Sequence, residues 1–137
     1  MEVIANTNRI IAALVKDGIS RRIILSGKFN MRTADFGIKE VSKYRPAIMK
    51  KAELTDEQFD GVMARLMSKI EVVNENDVPP QVFREAAKIM DSVDKDDTPF
   101  IALSLSLGKT PIWTDDKHFM AQNAIKIFTT KELAGML

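Results

Sequence analysis

Five of the chain's acids are packed into two short pieces near its end. Asp94, Asp96 and Asp97 precede the run Thr98-Pro99-Phe100-Ile101-Ala102-Leu103, and Asp115 and Asp116 follow Trp113-Thr114. An apolar run bracketed by carboxylates is expected to be buried and to deliver them to its two ends. Acids in such places are costly unless a cation or hydrogen bonds satisfy them. The chemistry suggested is divalent-metal binding, and the remaining acids are weighed by whether they can join it.

Composition narrows the classes. At 137 residues the chain is expected to form a single domain over 1–137, long enough to bury roughly 65–70% of its unfolded surface. Lys and Arg number 20 against 19 Asp and Glu, so no bulk basic field marks a nucleic-acid binder, although a local patch would suffice. With no cysteine, disulfides, thiolate zinc sites and cysteine nucleophiles are excluded. The single histidine, His118, leaves little room for a Ser-His-Asp triad. Nothing resembles a signal peptide or a spanning helix, so a cytoplasmic protein without a membrane partner is expected.

The elements that must position the acids follow from spacing. Glu2-Val3-Ile4-Ala5 reads as a first strand, ended by Asn6-Thr7-Asn8, with a helix over Arg9 to Val15 stopped by Asp17-Gly18. Ser20 is expected to cap a short helix, Arg21 to Leu25, before a strand over Phe29 to Thr33. From Ala34 a helix carries Phe36, Val41, Tyr44 and Ile48, kinked at Arg45-Pro46. Thr55-Asp56-Glu57-Gln58 has the form of a capping box. A strand over Ile70 to Val73 and a helix over Val82 to Ser92 follow. Leu103, Leu105 and Leu107 alternate as in a strand. Pro99 suits a first helical turn and Gly108 a helix end, however, so Thr98 to Leu107 is assigned to helix. Strands over Thr110 to Trp113 and Ala124 to Phe128 precede a closing helix capped by Thr129-Thr130-Lys131-Glu132. Strands alternating with helices imply an α/β fold of three α/β/α layers around a parallel sheet.

In such a sheet, ligands gather outside the carboxyl ends of the strands. Asn6 follows the first strand and Asp116 the strand at Trp113; Asp97 opens the helix feeding that strand. Glu40 borders the stripe between Phe36 and Tyr44. Together they offer three carboxylates and one carboxamide, hard oxygen ligands suited to Mg²⁺ or Mn²⁺. Each has a plainer alternative. Asp97 would serve as a helix cap, and Glu40 as a surface partner of Lys43. Asp115 and Asp116 would be turn residues, with Asp94 and Asp96 as loop acids near the site. His118, with no partner visible in sequence, is assigned to a turn or the surface.

The residues resemble a known family. Val3-Ile4-Ala5-Asn6-Thr7-Asn8 is similar to the PIN-domain opening, a hydrophobic strand followed by Asp-Thr-Asn. Glu40 matches that family's second acid. Asp97-Thr98-Pro99-Phe100-Ile101-Ala102-Leu103 resembles its third motif, and Trp113-Thr114-Asp115-Asp116-Lys117 its fourth, usually Thr-x-Asp. The resemblance runs through the whole chain and is strongest to small prokaryotic PIN proteins, including VapC toxins. It implies a metal-dependent ribonuclease, commonly a homodimer, often blocked by an antitoxin. One position departs: the family's first acid falls at Asn6, whose amide offers an oxygen but no negative charge and cannot act as a base.

The activity so implied is in-line hydrolysis of an RNA phosphodiester assisted by one or two metal ions. Asn6, Glu40, Asp97 and Asp116 are the expected catalytic and metal positions, supported by Thr114, Asp94 and Asp115. Arg21, Arg22, Lys43, Arg45, Lys109 and Lys117 are candidates to meet RNA phosphates, with solvated surface as the alternative. Ile10, Ile11, Leu14, Ile19, Ile23 and Ile24 are expected to form a partner surface or else to pack in the core. Two other classes compete: a catalytically silent PIN fold that binds RNA or a partner, and a phosphoacceptor receiver domain.

Overall fold

The computed structural model describes residues 1–90 and 93–137. Five strands form one parallel sheet: β1 (Glu2–Ala5), β2 (Asn30–Ala34), β3 (Ile70–Val73), β4 (Ile112–Trp113) and β5 (Ile127–Phe128), in the order β3-β2-β1-β4-β5. Because β1 has β2 on one side and β4 on the other, the order reverses there. The crevice outside the carboxyl ends of β1 and β4 is where this class of sheet takes ligands. A receiver domain would have the order 2-1-3-4-5, so this topology removes that alternative.

β1 and β4 lie buried between two apolar clusters, and period-two alternation feeds both, while β3 at the sheet edge is largely exposed. Val3 and Ala5 of β1 and Trp113 of β4 enter one cluster; Ile4 and Ile112 enter the other. The first cluster is closed by α1 (Thr7–Val15), α2 (Ile19–Leu25), α3 (Asp35–Lys43), α4 (Arg45–Ala52), α5 (Asp56–Met67) and α9 (Thr130–Ala134). The second is closed by α6 (Pro80–Met90), α7 (Thr98–Ser106) and the short α8 (Lys117–Met120). A parallel strand buried on both faces has little use for polar residues, which explains the near-continuous apolar runs.

Most element assignments hold, with local differences. The cap of α2 is Gly18, with no side-chain hydrogen bond. Ser20 lies inside that helix and is buried, so it is not the cap expected from sequence. The break at Arg45-Pro46 separates α3 from α4 at Tyr44, as the proline requires. Both capping boxes, at Thr55 with Gln58 and at Thr129 with Glu132, form as expected. The helix expected to reach Ser92 is described to Met90; its last two positions, Asp91 and Ser92, lie outside the described residues. The last two strands are shorter than expected, two residues each.

Candidate metal centre

Chain direction brings the acids to one edge. Helices that follow or precede parallel strands run antiparallel to them, so α7 starts where β4 ends. Asp97 therefore stands at the carboxyl edge of the sheet beside the β4–α8 turn that carries Thr114 and Asp116. Asn6, directly after β1, is hydrogen-bonded from its backbone N–H to the Trp113 carbonyl at 3.1 Å. This bond joins the first and fourth motifs at the point where the strand order reverses.

His118 closes the cluster. Its Nδ1 lies 3.2 Å from Asp94 Oδ2, 3.6 Å from Asp116 Oδ1 and 3.8 Å from Asp97 Oδ2. No partner for this residue is visible in the sequence, and the structure supplies three. Asp94, Asp97 and His118 can each aim a ligand atom at a common point, the three atoms lying within 4.8 Å of one another. The only signal that could have found His118 is its place two residues after Asp116, which caps α8 by accepting the His118 backbone N–H at 2.9 Å.

Asp97 carries the unsatisfied charge. Its side chain is only 14% exposed, and its Oδ2 is buried with no hydrogen-bond partner among the described residues. It does not cap α7 through its side chain, which removes the plainer reading of this residue. Burial, then the charges of Asp94 and Asp116, raise its carboxyl to about 7 from an ordinary 3.8, with His118 pulling weakly the other way. A buried carboxylate oxygen without a donor, crowded by two more acids, is a place a divalent cation would satisfy. The residues fit hard-cation chemistry, with oxygen donors in the majority and one imidazole.

Glu40 is half-buried on α3, and burial raises its carboxyl, Asp96 adding to the effect against the opposing hydrogen bond from Thr7 and the charge of Lys43. Thr7 Oγ1 donates to Glu40 Oε1 at 3.4 Å. No ion pair joins Glu40 to Lys43 among the described residues, so the surface-pair reading loses its support. Asn6 is 3% exposed and its side-chain oxygen accepts the Asn8 backbone N–H at 2.9 Å, capping α1. Thr114 is fully buried, and its Oγ1 accepts the Asp116 backbone N–H at 3.0 Å, which fixes the turn that presents Asp116. Asp115 points elsewhere: it accepts the Thr130 backbone N–H and hydroxyl, each at 2.7 Å, and pairs with Arg9 at 2.9 Å. It ties the turn to α9 and does not face the acids.

The sequence matches the PIN domain family over residues 4–136. The chain belongs to the PIN-domain family. PIN domains of this kind are generally nucleases and typically use divalent metals, which agrees with the oxygen-rich cluster. Among solved structures, it is similar to a chain in the crystal structure of VapBC2 from Rickettsia felis bound to a DNA fragment from their promoter. That similarity has a TM-score of 0.72 and 12% identity over 94% of this chain and 98% of the other, and it shows the fold. A search of curated proteins returns no match.

Within this PIN domain the candidate phosphate contacts divide. Arg45 is held by Asp60 at 2.7 Å and Asp56 at 2.9 Å, over the ring of Phe59. Arg21 closes the end of α1 by donating to the carbonyls of Ala13 and Leu14. Lys109 precedes β4, at the sheet edge opposite the acids. Arg22 is exposed on α2, Lys117 is exposed beside Asp116, and Lys43 shares α3 with Glu40. Only the last two adjoin the acidic residues in sequence or on one helix.

Sequence reasoning also missed Gly37. A Cβ there would stand 2.7 Å from Thr7 Oγ1, the hydroxyl that donates to Glu40. Gly37→Ala is therefore expected to cost about 1–3 kcal/mol through overpacking, against a helix-propensity gain of about 1 kcal/mol. Urea denaturation checks this: a net loss supports the close approach, and a gain of the full propensity value contradicts it.

Proposed function

We propose that the chain, as one PIN-like domain over 1–137, is a Mg²⁺- or Mn²⁺-dependent endoribonuclease and the toxin of a cytoplasmic toxin–antitoxin pair. The observation that carries this is the buried Oδ2 of Asp97, which accepts no hydrogen bond among the described residues, beside further carboxylates at the reversal of strand order. Glu40, Asp97 and Asp116 would hold the cation, with Asp94 and His118 beside them and Asn6 as a neutral oxygen. When bound, the cation supplies Lewis-acid polarisation of the phosphodiester and of the attacking water. The chain's own part is to hold these side chains in place. Thr114 fixes the Asp116 turn, Thr7 orients Glu40, and the Arg9–Asp115–Thr130 contacts pin the β4–α8 turn to α9. Cleavage of a labelled single-stranded RNA, with Mn²⁺ or with EDTA, tests the reading. Metal-dependent cleavage lost in Asp97→Asn supports it; no cleavage, or cleavage in EDTA, overturns it.

The partner reading rests on the N-terminal helices. Ile10, Leu14, Ile23 and Ile24 are core residues, so most of the expected apolar surface is spent inside the fold. Of the six, Ile11 and Ile19 remain, lining with Val15 and Lys51 a concavity of about 390 Å³. The Rickettsia felis neighbour is a VapBC complex, and an antitoxin segment or a second copy of this chain would fit here. Light scattering is expected to show a dimer that Ile19→Glu weakens; a strict monomer would leave the antitoxin as the only partner in this reading.

The second reading, a catalytically silent PIN fold that binds RNA or a protein, is favoured by one observation. Asn6 brings no charge, and its oxygen is already engaged in capping α1. No helix among the described residues is long and apolar enough to cross a membrane.

A further inference from the structure

Beside Glu40, on the side away from the N-terminal helices, lies a concavity of about 350 Å³ whose walls include Phe36, Tyr44 and Pro99. Ligand clefts run from roughly 300 to 1,000 Å³, so this one is at the small end, the scale of a single flat group. Two lysines, Lys43 and Lys95, stand on its lining, and the carboxylates of Glu40 and Asp96 complete it. We propose that this concavity is a nucleobase subsite: Tyr44 and Phe36 stack an unpaired RNA base, while Lys43 and Lys95 meet the phosphates flanking it.

Four features carry this. Tyr44 is 45% exposed, one of the few large aromatic or aliphatic side chains left in water, and it is the chain's only tyrosine. Phe36 is backed by Phe100, ring centroids 4.9 Å apart, and Phe100 by Phe119 at 6.4 Å, so one wall is held by the core. Lys43 and Lys95 are exposed and make no ion pair among the described residues, unlike Arg45 one position after Tyr44. Lys43 Nζ lies 5.6 Å from the centre of the Tyr44 ring, which puts a cation and a π-face side by side. Single-stranded nucleic acid is bound by such a combination, aromatic faces for bases and loose cations for the backbone. Asp96, an acceptor-only side chain, is placed to receive an N–H from the edge of a base.

Asp96 lines this concavity and stands next to Asp97 in the chain, so a base seated here would lie beside the acidic cluster. The proposal rests on the nuclease reading for its choice of ligand, and it concerns binding, so the two can fail separately. Tyr44 also borders the neighbouring groove lined by Ile11, Val15, Ala47 and Lys51. A protein segment lying across Tyr44 is the competing occupant.

The test measures binding of a single-stranded RNA octamer carrying one 2-aminopurine, in EDTA, so that cleavage plays no part. The wild-type chain is expected to quench the 2-aminopurine through stacking. Tyr44→Ala should weaken binding about tenfold and abolish the quenching, while Tyr44→Phe should retain both. Lys43→Ala with Lys95→Ala should flatten the salt dependence by about 1.4 in the log–log slope, about 0.7 for each phosphate no longer neutralised. Circular dichroism and thermal melting confirm that each variant is folded; a misfolded Tyr44→Ala leaves the lysine pair and Tyr44→Phe to decide. Absent binding by the wild type, or equal binding by Tyr44→Ala, overturns the subsite. A lysine variant that keeps the wild-type salt slope overturns it too. Tyr44-dependent binding without any cleavage in Mn²⁺ would keep the subsite and reject the nuclease.

Discussion

Asn6→Asp is expected to raise Mg²⁺- or Mn²⁺-dependent RNA cleavage by at least about tenfold, equivalent to about 1.4 kcal/mol of transition-state stabilisation. The cap that Asn6 gives α1 uses one side-chain oxygen, bonded to the Asn8 N–H. A carboxylate caps as well as a carboxamide, and its negative charge is favoured at a helix N-terminus. The substitution therefore keeps the local fold and puts a second oxygen in place of the amide nitrogen. It also puts an acid where the resemblance to the PIN-domain opening, Asp-Thr-Asn, leads one to expect it. Added repulsion among the acids opposes this in the metal-free chain, offset in part by the helix terminus, so a small loss of metal-free stability that Mn²⁺ reverses should accompany the gain. Equal cleavage by both chains would contradict this prediction, and no cleavage by either, with metal binding intact, would hand the function to the silent binding module.

Asp97→Asn should have the opposite balance. In the folded chain the Asp97 carboxyl is raised to about 7 from an ordinary 3.8, first by burial and then by Asp94 and Asp116. Between those two values the folded state holds a proton that the unfolded state has released. Stability must then fall as pH rises through that window, with the full penalty above about pH 7. Asp97→Asn removes the titrating group, so the metal-free variant should be more stable than the wild type at pH 8 and equal to it near pH 4. A saturating cation does the same for the wild type: at a hundredfold excess over its Kd it adds about 2.7 kcal/mol. Thermal melts across pH 4–8, with and without Mn²⁺, check both parts. A wild type that gains stability toward pH 8 without metal contradicts a carboxylate buried beside Asp94 and Asp116 with no hydrogen bond to Oδ2 among the described residues.

How far the sequence could be read depended on whether a residue acts locally or across the fold. The strands and capping boxes were legible because hydrophobic spacing and Ser/Thr–Glu/Gln pairs act within a few residues. The helix α7 was ambiguous for a physical reason. Phe100 through Ser104 are all buried, so it has no polar face to impose a 3.6-residue period. Its serines are satisfied internally, Ser104 donating to the Thr110 carbonyl and Ser106 to that of Leu103. Only the proline and glycine at its ends betrayed it. Among the candidate site residues, Asp97, Asp116 and Glu40 were visible as acids at element ends or beside a buried stripe. His118 was not, because two of its three acidic neighbours, Asp94 and Asp97, come from another stretch of chain more than twenty residues away. Asp115 and Arg45 were overread for the same reason: their partners, Thr130, Arg9, Asp56 and Asp60, are set by tertiary packing.

The central claim is that Asp97 and the acids around it hold a divalent cation. The most direct measurement is isothermal titration of Mn²⁺ into the chain at pH 8, where the Asp97 carboxyl is ionised, alongside Asp97→Asn. Saturable binding in the wild type, weakened at least about tenfold in the variant, about 1.4 kcal/mol, is the result expected. Equal affinity in the two proteins, or no binding in the wild type, would contradict it.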